Sequence, residues 1–352
     1  MNRTKTQSAS PWWASVHADP VPNASEPGPL TRGLMVAIAA GLLLSCAVPR
    51  SRATGAGSTA AEASASQQPA GTVAPLTPPR RYPELPATPE AIAARLVELE
   101  TAIRDPATPG AALPAMAHQQ QVIYRVLARR RGLADAVLRQ LPVRWQREAR
   151  RHLNARRHFL AMQRGPVRTV LPAWRIVSPR PVEELLGYYR AASAATGIAW
   201  EVLAAVNLVE SAMGRIDGVS VANAHGPMQF LPSTWAEPGI GKGGDIRNPR
   251  DAIHAAARYL VRRGGLRNIR RGLWGYNNSD HYGSAVLEYA ALLRDDPAAF
   301  RGLYHWEVHV ATGAGDVWLP VGYSQSEPIQ VQRYLAQRPE AAPPAPLTPQ
   351  RP

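Results

Sequence analysis

The segment AWEVLAAVNLVESAMG, Ala199 to Gly214, constrains the fold of this chain more than any other. Its spacing predicts one helix of about four turns, closed by Gly214 in a left-handed cap. Val202, Val206, Val209 and Met213 fall on one stripe, and Leu203, Asn207, Glu210 and Gly214 on a second about 100° away. Ala204, Ala205 and Leu208 make the helix apolar nearly all round, so it belongs in the interior. It therefore carries Glu210 inward at its last turn. A buried carboxylate costs free energy unless it is paired, hydrogen-bonded or protonated. Apolar surroundings and the negative end of the helix dipole both favour the protonated form. Such a raised pKa is what a general acid near neutral pH requires. The plain alternative is that Glu210 reaches solvent from a frayed helix end.

Two later stretches bear on this choice: HGPMQFLPSTW, His225 to Trp235, and LWGYNNSDHY, Leu273 to Tyr282. Between them NPRDAIHAAARYLVRRGG predicts a helix capped by Asn248, with Pro249 in its first turn and Gly264 as its stop. Trp235, Trp274, Tyr276 and Tyr282 are aromatics able to stack on a sugar, or to fill a core. The nine histidines form no HExxH and no His/Cys cluster with metal spacing. GIGKGGD, Gly239 to Asp245, lacks the hydroxyl residue of a phosphate loop and reads as a flexible connection. No cofactor and no metal are expected.

Taken in order, Glu-Ser, Gly-x-Met-Gln-Phe, Pro-Ser-Thr-Trp, AAARYL and Tyr-Asn resemble the lytic transglycosylases of the goose-type lysozyme superfamily. GPMQFLPSTW and GDIRNPRDAI resemble its membrane-bound B-type branch. The resemblance covers about residues 182–293, and it implies a mainly α, lysozyme-like catalytic domain. It implies that Glu210 is the single catalytic acid/base and that Ser211 orients that carboxyl or the substrate. Gly226, Met228, Gln229 and Phe230 match the cleft-lining loop, with Gln229 expected to bond sugar or reacting water. Tyr276 and Asn277 match the late motif facing Glu210, and Tyr282 joins them as a substrate-binding candidate. Pro227 stands where many members have Leu or Ala.

Glycosidases normally place two carboxyl groups about the bond, roughly 5–5.5 Å apart for retention and wider for inversion. Between Ser211 and Gly244 the acids are Asp217 and Glu237, neither in a motif with a partner role. A lone Glu210 would need help from the substrate, which an N-acetyl sugar can give through its amide oxygen. The expected reaction is cleavage of the MurNAc–GlcNAc β-1,4 bond in peptidoglycan, leaving a 1,6-anhydro end. Two alternatives stay open: a muramidase on the same fold, using a second carboxylate such as Asp217, and a non-catalytic wall-binding scaffold.

The remaining residues set the context. Residues 1–46 read as a signal peptide, with the apolar run from Gly33 to Val48 behind Arg32 and the sole cysteine, Cys46, ending LLLSC as in a lipobox. This predicts export, lipidation at Cys46 and attachment to a membrane on its extracytoplasmic side. Residues 47–86 hold almost no large apolar residues and read as a disordered tether, and 338–352 as a disordered tail. Residues 87–170 form a basic helical region, an N-terminal helical extension to the transglycosylase domain at 171–310. A C-terminal segment follows at 311–337, and alternation of Trp306, Val308 and Val310 predicts a small β-hairpin.

The net charge is +14, and only Lys5 and Lys242 are lysines. Gln121 to Gly165 holds twelve arginines against Asp135 and Glu148. Such a run is either a solvated helix face or an attachment for anionic wall polymers. Export removes nucleic acid from the expected partners; these are peptidoglycan glycan strands and a membrane, and the chain is expected to be a monomer.

Overall fold

Thr88 starts the first helix: its hydroxyl accepts from Ala91 N at 3.2 Å and Pro89 takes the first helical position, where no N–H is missed. In the computed structural model, residues 80–163 and 167–344 are described, and they belong to one unit of the chain. The signal segment, Cys46 and the tether as far as residue 79 lie outside the described residues, as does the tail from 345. Helix α1 (Pro89–Arg104) is followed by α2 (Leu113–Arg129), α3 (Arg131–Gln140) and α4 (Val143–Met162). Strands β1 (Val170–Leu171) and β2 (Arg175–Ile176) lead to α5 (Val182–Thr196), which stops at Gly197 with φ 78°. Then come α6 (Trp200–Ser211), β3 (Ile216–Asp217), α7 (Pro232–Trp235) and α8 (Pro249–Arg262).

Helices α9 (Ile269–Asn277), α10 (Asp280–Asp295) and α11 (Phe300–Tyr304) precede a hairpin of β4 (Val308–Thr312) and β5 (Gly315–Leu319). Strand β6 (Ile329–Gln330) and α12 (Val331–Gln337) end the described fold. The strands pair antiparallel as β1 with β6, β2 with β3 and β4 with β5, with Val310 opposite Val317. The fold is mainly α, with the hairpin where residue alternation put it. No helix among the described residues is long and apolar enough to cross a membrane.

One core joins α1 through α6 with α8 through α11. Tyr189, Leu203, Val206, Ile253, Leu260 and Tyr282 are all buried in it. A second, smaller core gathers the hairpin around Trp174, Trp318, Tyr323 and Tyr334, and reaches Ala212 just past α6. Helices α1–α4 and helices α5, α6 and α8–α11 thus share their largest apolar cluster, and α4 lies along α10.

Four readings of the sequence change. Helix α6 ends at Ser211, not Gly214, because Ala212, Met213 and Gly214 all take left-handed φ of 53°, 63° and 84°. Helix α10, which the apolar pattern of the sequence puts at about Ser284 to Arg294, starts one turn earlier, because Ser279 caps it by accepting from Tyr282 N at 3.3 Å. Part of the expected tether and tail is ordered: Tyr82 N donates to Glu340 O at 2.9 Å, Arg80 pairs with Glu307 at 2.5 Å, and Ala341 is buried.

The basic run is not one solvated face. Arg125 and Arg129 each meet Asp316 at 2.9 Å, with Arg156 at 3.6 Å, and Arg151 reaches Asp295 at 2.6 Å. The neutralising acids come from β5 and α10, more than a hundred residues later, so local counting cannot see them.

Candidate active site

Glu210 is 1% exposed, on the last turn of a helix buried continuously from Val202 to Ser211. Its Oε1 accepts from Tyr282 Oη at 2.7 Å, and its Oε2 has no hydrogen-bond partner among the described residues. Burial pushes the carboxyl up to about 8, against a smaller opposing effect of the Tyr282 hydrogen bond. Glu210 is therefore protonated at neutral pH. Burial and the neighbouring Glu210 also raise the Tyr276 and Tyr282 phenols well above their ordinary value, so both remain donors.

The left-handed turn after α6 is held by side chains. Ser211 Oγ donates to Pro227 O at 2.5 Å, and accepts from Gly214 N at 3.0 Å and Asn207 Nδ2 at 3.2 Å. Asn207 Nδ2 also donates to Pro227 O at 2.8 Å, and its Oδ1 accepts from Tyr189 Oη at 2.6 Å. Ser211 thus ties the helix end to the loop, and all its hydrogen bonds go elsewhere than Glu210. Asn207 was assigned no role in the sequence. Its signal was present: a lone amide in an apolar helix, three and four residues before Glu210 and Ser211.

The loop itself is a tight β-bridge. His225 N donates to Phe230 O at 2.8 Å, and Phe230 N returns to His225 O at 3.0 Å. Gly226, with φ 72°, has no room for a side chain: a Cβ there would come within 1.9 Å of Ile246 O. Gln229 is buried at φ 48°, and its amide nitrogen donates to Gly226 O at 2.9 Å. Met228 and Phe230 are core residues, with the Phe230 ring edge-on to Trp235 and Tyr259.

Tyr276 seals the loop from the other side, donating to Met228 O at 2.8 Å. Its ring stacks on Tyr282 with centroids 6.2 Å apart and planes 6° off parallel. Asn277 is buried at the end of α9, next to Asn278, whose left-handed φ of 50° turns the chain into α10. The expected residues therefore converge. Glu210, Tyr282, Tyr276 and Met228 form a connected chain, while Ser211, Gly226, Gln229 and Phe230 shape the loop beside it. Trp274 alone of the four candidate stacking aromatics is exposed, at 50%.

The two other acids in the neighbourhood are engaged elsewhere. Asp217 pairs with Arg175 across β2 and β3, and Glu237 with Arg262 at 2.8 Å. Among the described residues no cluster of three or more His, Cys, Asp or Glu side chains could hold a metal ion.

Residues 187–283 match the family model of the transglycosylase SLT domain. No curated protein and no solved structure matches the chain. The matched segment begins inside α5 and ends just past Tyr282, so it contains every residue of the site described above. The match supports a lytic transglycosylase of the lysozyme-like, goose-type superfamily, a lyase acting on peptidoglycan, over this part of the chain.

Proposed function

We propose that the chain cleaves the MurNAc–GlcNAc β-1,4 bond with Glu210 as its sole acid/base, and leaves a 1,6-anhydro-MurNAc end. One observation carries the reading: Glu210 is buried and protonated, with one oxygen held by Tyr282 and the other unengaged. The proton on Oε2 goes to the glycosidic oxygen as the bond from C1 to that oxygen breaks. Positive charge developing at C1 is met by the acetamido oxygen of the same sugar. Glu210, now a carboxylate, takes the proton from the sugar's 6-hydroxyl as O6 bonds to C1. The anhydro ring closes, Glu210 is protonated again, and no water is consumed. Because Oε2 is buried, substrate must displace protein above it to make this contact.

A muramidase would need a second carboxylate to activate water. The partners of Asp217 and Glu237 favour the single-carboxylate route, and no acidic neighbour contributes to the shift of Glu210. Digestion of purified peptidoglycan tests the reaction type. Muropeptides one water lighter than hydrolysed ones are expected; reducing ends alone would make the protein a muramidase.

The same reading has the chain exported and lipid-anchored at Cys46, facing its substrate from the extracytoplasmic side of a membrane. The sole cysteine, placed at the end of the apolar run from Gly33 to Ser45, supports this. Cys46→Ser is expected to abolish detergent partitioning; unchanged partitioning and mature mass would remove the anchor.

A further inference from the structure

On α9, Trp274 and Tyr276 are two residues apart and so point about 200° away from each other around the helix. Tyr276 turns inward to Met228 O, while Trp274 stands half out of the surface on the opposite side. Trp274 is one wall of an open groove of about 640 Å³ between the end of α8 and the outer face of α9. That volume is within the roughly 300–1,000 Å³ of ligand-binding clefts. Gly275 lines it as well: a Cβ there would come within 2.8 Å of Arg263 Cβ, so a bare glycine lets α9 lie close to the end of α8.

The lining is one-signed. Arg262, Arg263, Arg267 and Arg271 contribute to it, and no acidic side chain does. Among the described residues, Arg262 alone of the four meets a carboxylate, that of Glu237. Arg263 donates to Tyr259 Oη at 2.7 Å and lies over that ring. Arg267 and Arg271 are exposed, with Arg271 one turn before Trp274 on the same face of α9. Leu266 adds exposed apolar surface beside them. An exposed indole offers a flat apolar face to the C–H side of a pyranose. Guanidinium forks beside it suit carboxylates better than neutral hydroxyls.

We infer that this groove is a second binding site for peptidoglycan, separate from the cleavage site, which takes a sugar against Trp274 and the free carboxylates of its stem peptides against Arg267 and Arg271. The inference rests on the proposed activity for its choice of polymer. A strand held on the outer face of α9 keeps the enzyme on its substrate between cuts, and short fragments that cannot span both sites gain nothing from it.

The test uses the full chain and two substrates: whole sacculi and short soluble muropeptide oligomers. Arg267→Gln/Arg271→Gln and, separately, Trp274→Ala replace exposed side chains and should leave the fold intact. In a Glu210→Gln background that cannot digest the sacculi, each is expected to weaken sacculus binding about tenfold. Binding by the unsubstituted groove should fall with added salt, and on sacculi whose carboxyls have been amidated. With Glu210 restored, turnover of short oligomers should stay at the wild-type level. Variants that bind sacculi as tightly as the unsubstituted groove, or equal binding to amidated sacculi, would overturn the inference. Failure of the wild type to cleave the oligomers would instead overturn the proposed activity.

Discussion

Tyr282 Oη donates to Glu210 Oε1 at 2.7 Å, joining the first turn of α10 to the last turn of α6 across 72 residues of sequence. The contact favours the charged carboxylate, so it lowers the pKa that burial has raised. Tyr282→Phe should therefore move the alkaline limb of the pH–rate profile upward. It should also cost about 1–3 kcal/mol of stability, because a buried acceptor loses its donor. Urea unfolding and a pH–rate profile check both; a limb that stays put would separate Tyr282 from the acid.

The proton on Glu210 gives the activity profile its shape. Turnover should fall as pH rises through about 8, where the acid form is lost. Glu210→Gln preserves the shape of the side chain without its proton transfer, a change typically worth about 10²–10⁴-fold in rate. Residual activity within tenfold of wild type on soluble fragments would remove Glu210 from this role.

Stability should follow the same group with its own sign. The folded value, about 8, exceeds the ordinary 4.5, so between these limits the unfolded chain carries fewer protons at this site. Wild type then loses up to about 1.4 kcal/mol per pH unit across the window, and Glu210→Gln loses nothing from this source. The variant should gain on wild type in thermal melts from pH 5 to pH 8. Parallel curves would mean that the carboxyl is solvated.

Gly226→Ala should disrupt the loop. Its Cβ would collide with a backbone carbonyl, that of Ile246, which cannot swing aside as a side chain can. The left-handed φ adds about 1 kcal/mol. Loss of both melting temperature and turnover is expected, compared against Gly110→Ala, where a Cβ meets nothing within 4 Å.

Asp316 should be far more sensitive than an ordinary surface acid. Arg125, Arg156 and Arg129 hold its buried carboxyl well below the usual carboxylate range. Asp316→Asn leaves those guanidiniums uncompensated and should cost about 3–5 kcal/mol at neutral pH. The wild-type advantage is present above the ordinary value of 3.8 and drains away as pH falls below it. Denaturation at pH 7 and pH 3 measures the difference.

What the sequence revealed and what it hid divide along physical lines. The periodicity of Val202 to Met213 gave a buried helix and with it the protonated state of Glu210, since both depend on neighbours in the chain. Asn248 marked a helix start because capping is local. Tyr282, the partner of Glu210, was read as a sugar-binding or core aromatic, because its contact with Glu210 depends on how α10 crosses α6. Ser211, expected to orient the Glu210 carboxyl or the substrate, and Gln229, expected to bond sugar or reacting water, also bond Pro227 O and Gly226 O, which only the folded loop brings near. The arginines of α2 and α4 looked unneutralised for the same reason.

The shared core has a consequence for how such a chain can be inherited. Residues 187–283 carry the site, yet α4 lies along α10, and Arg151 and Arg104 bind acids on or just after that helix. A recombination event that moved the matched segment alone would cut α10 after its first turn, and would leave behind Glu288 and Asp295 together with the arginines that meet them. Breakpoints between genes should survive only outside α1 to α11, which makes the helices before the site part of the heritable module.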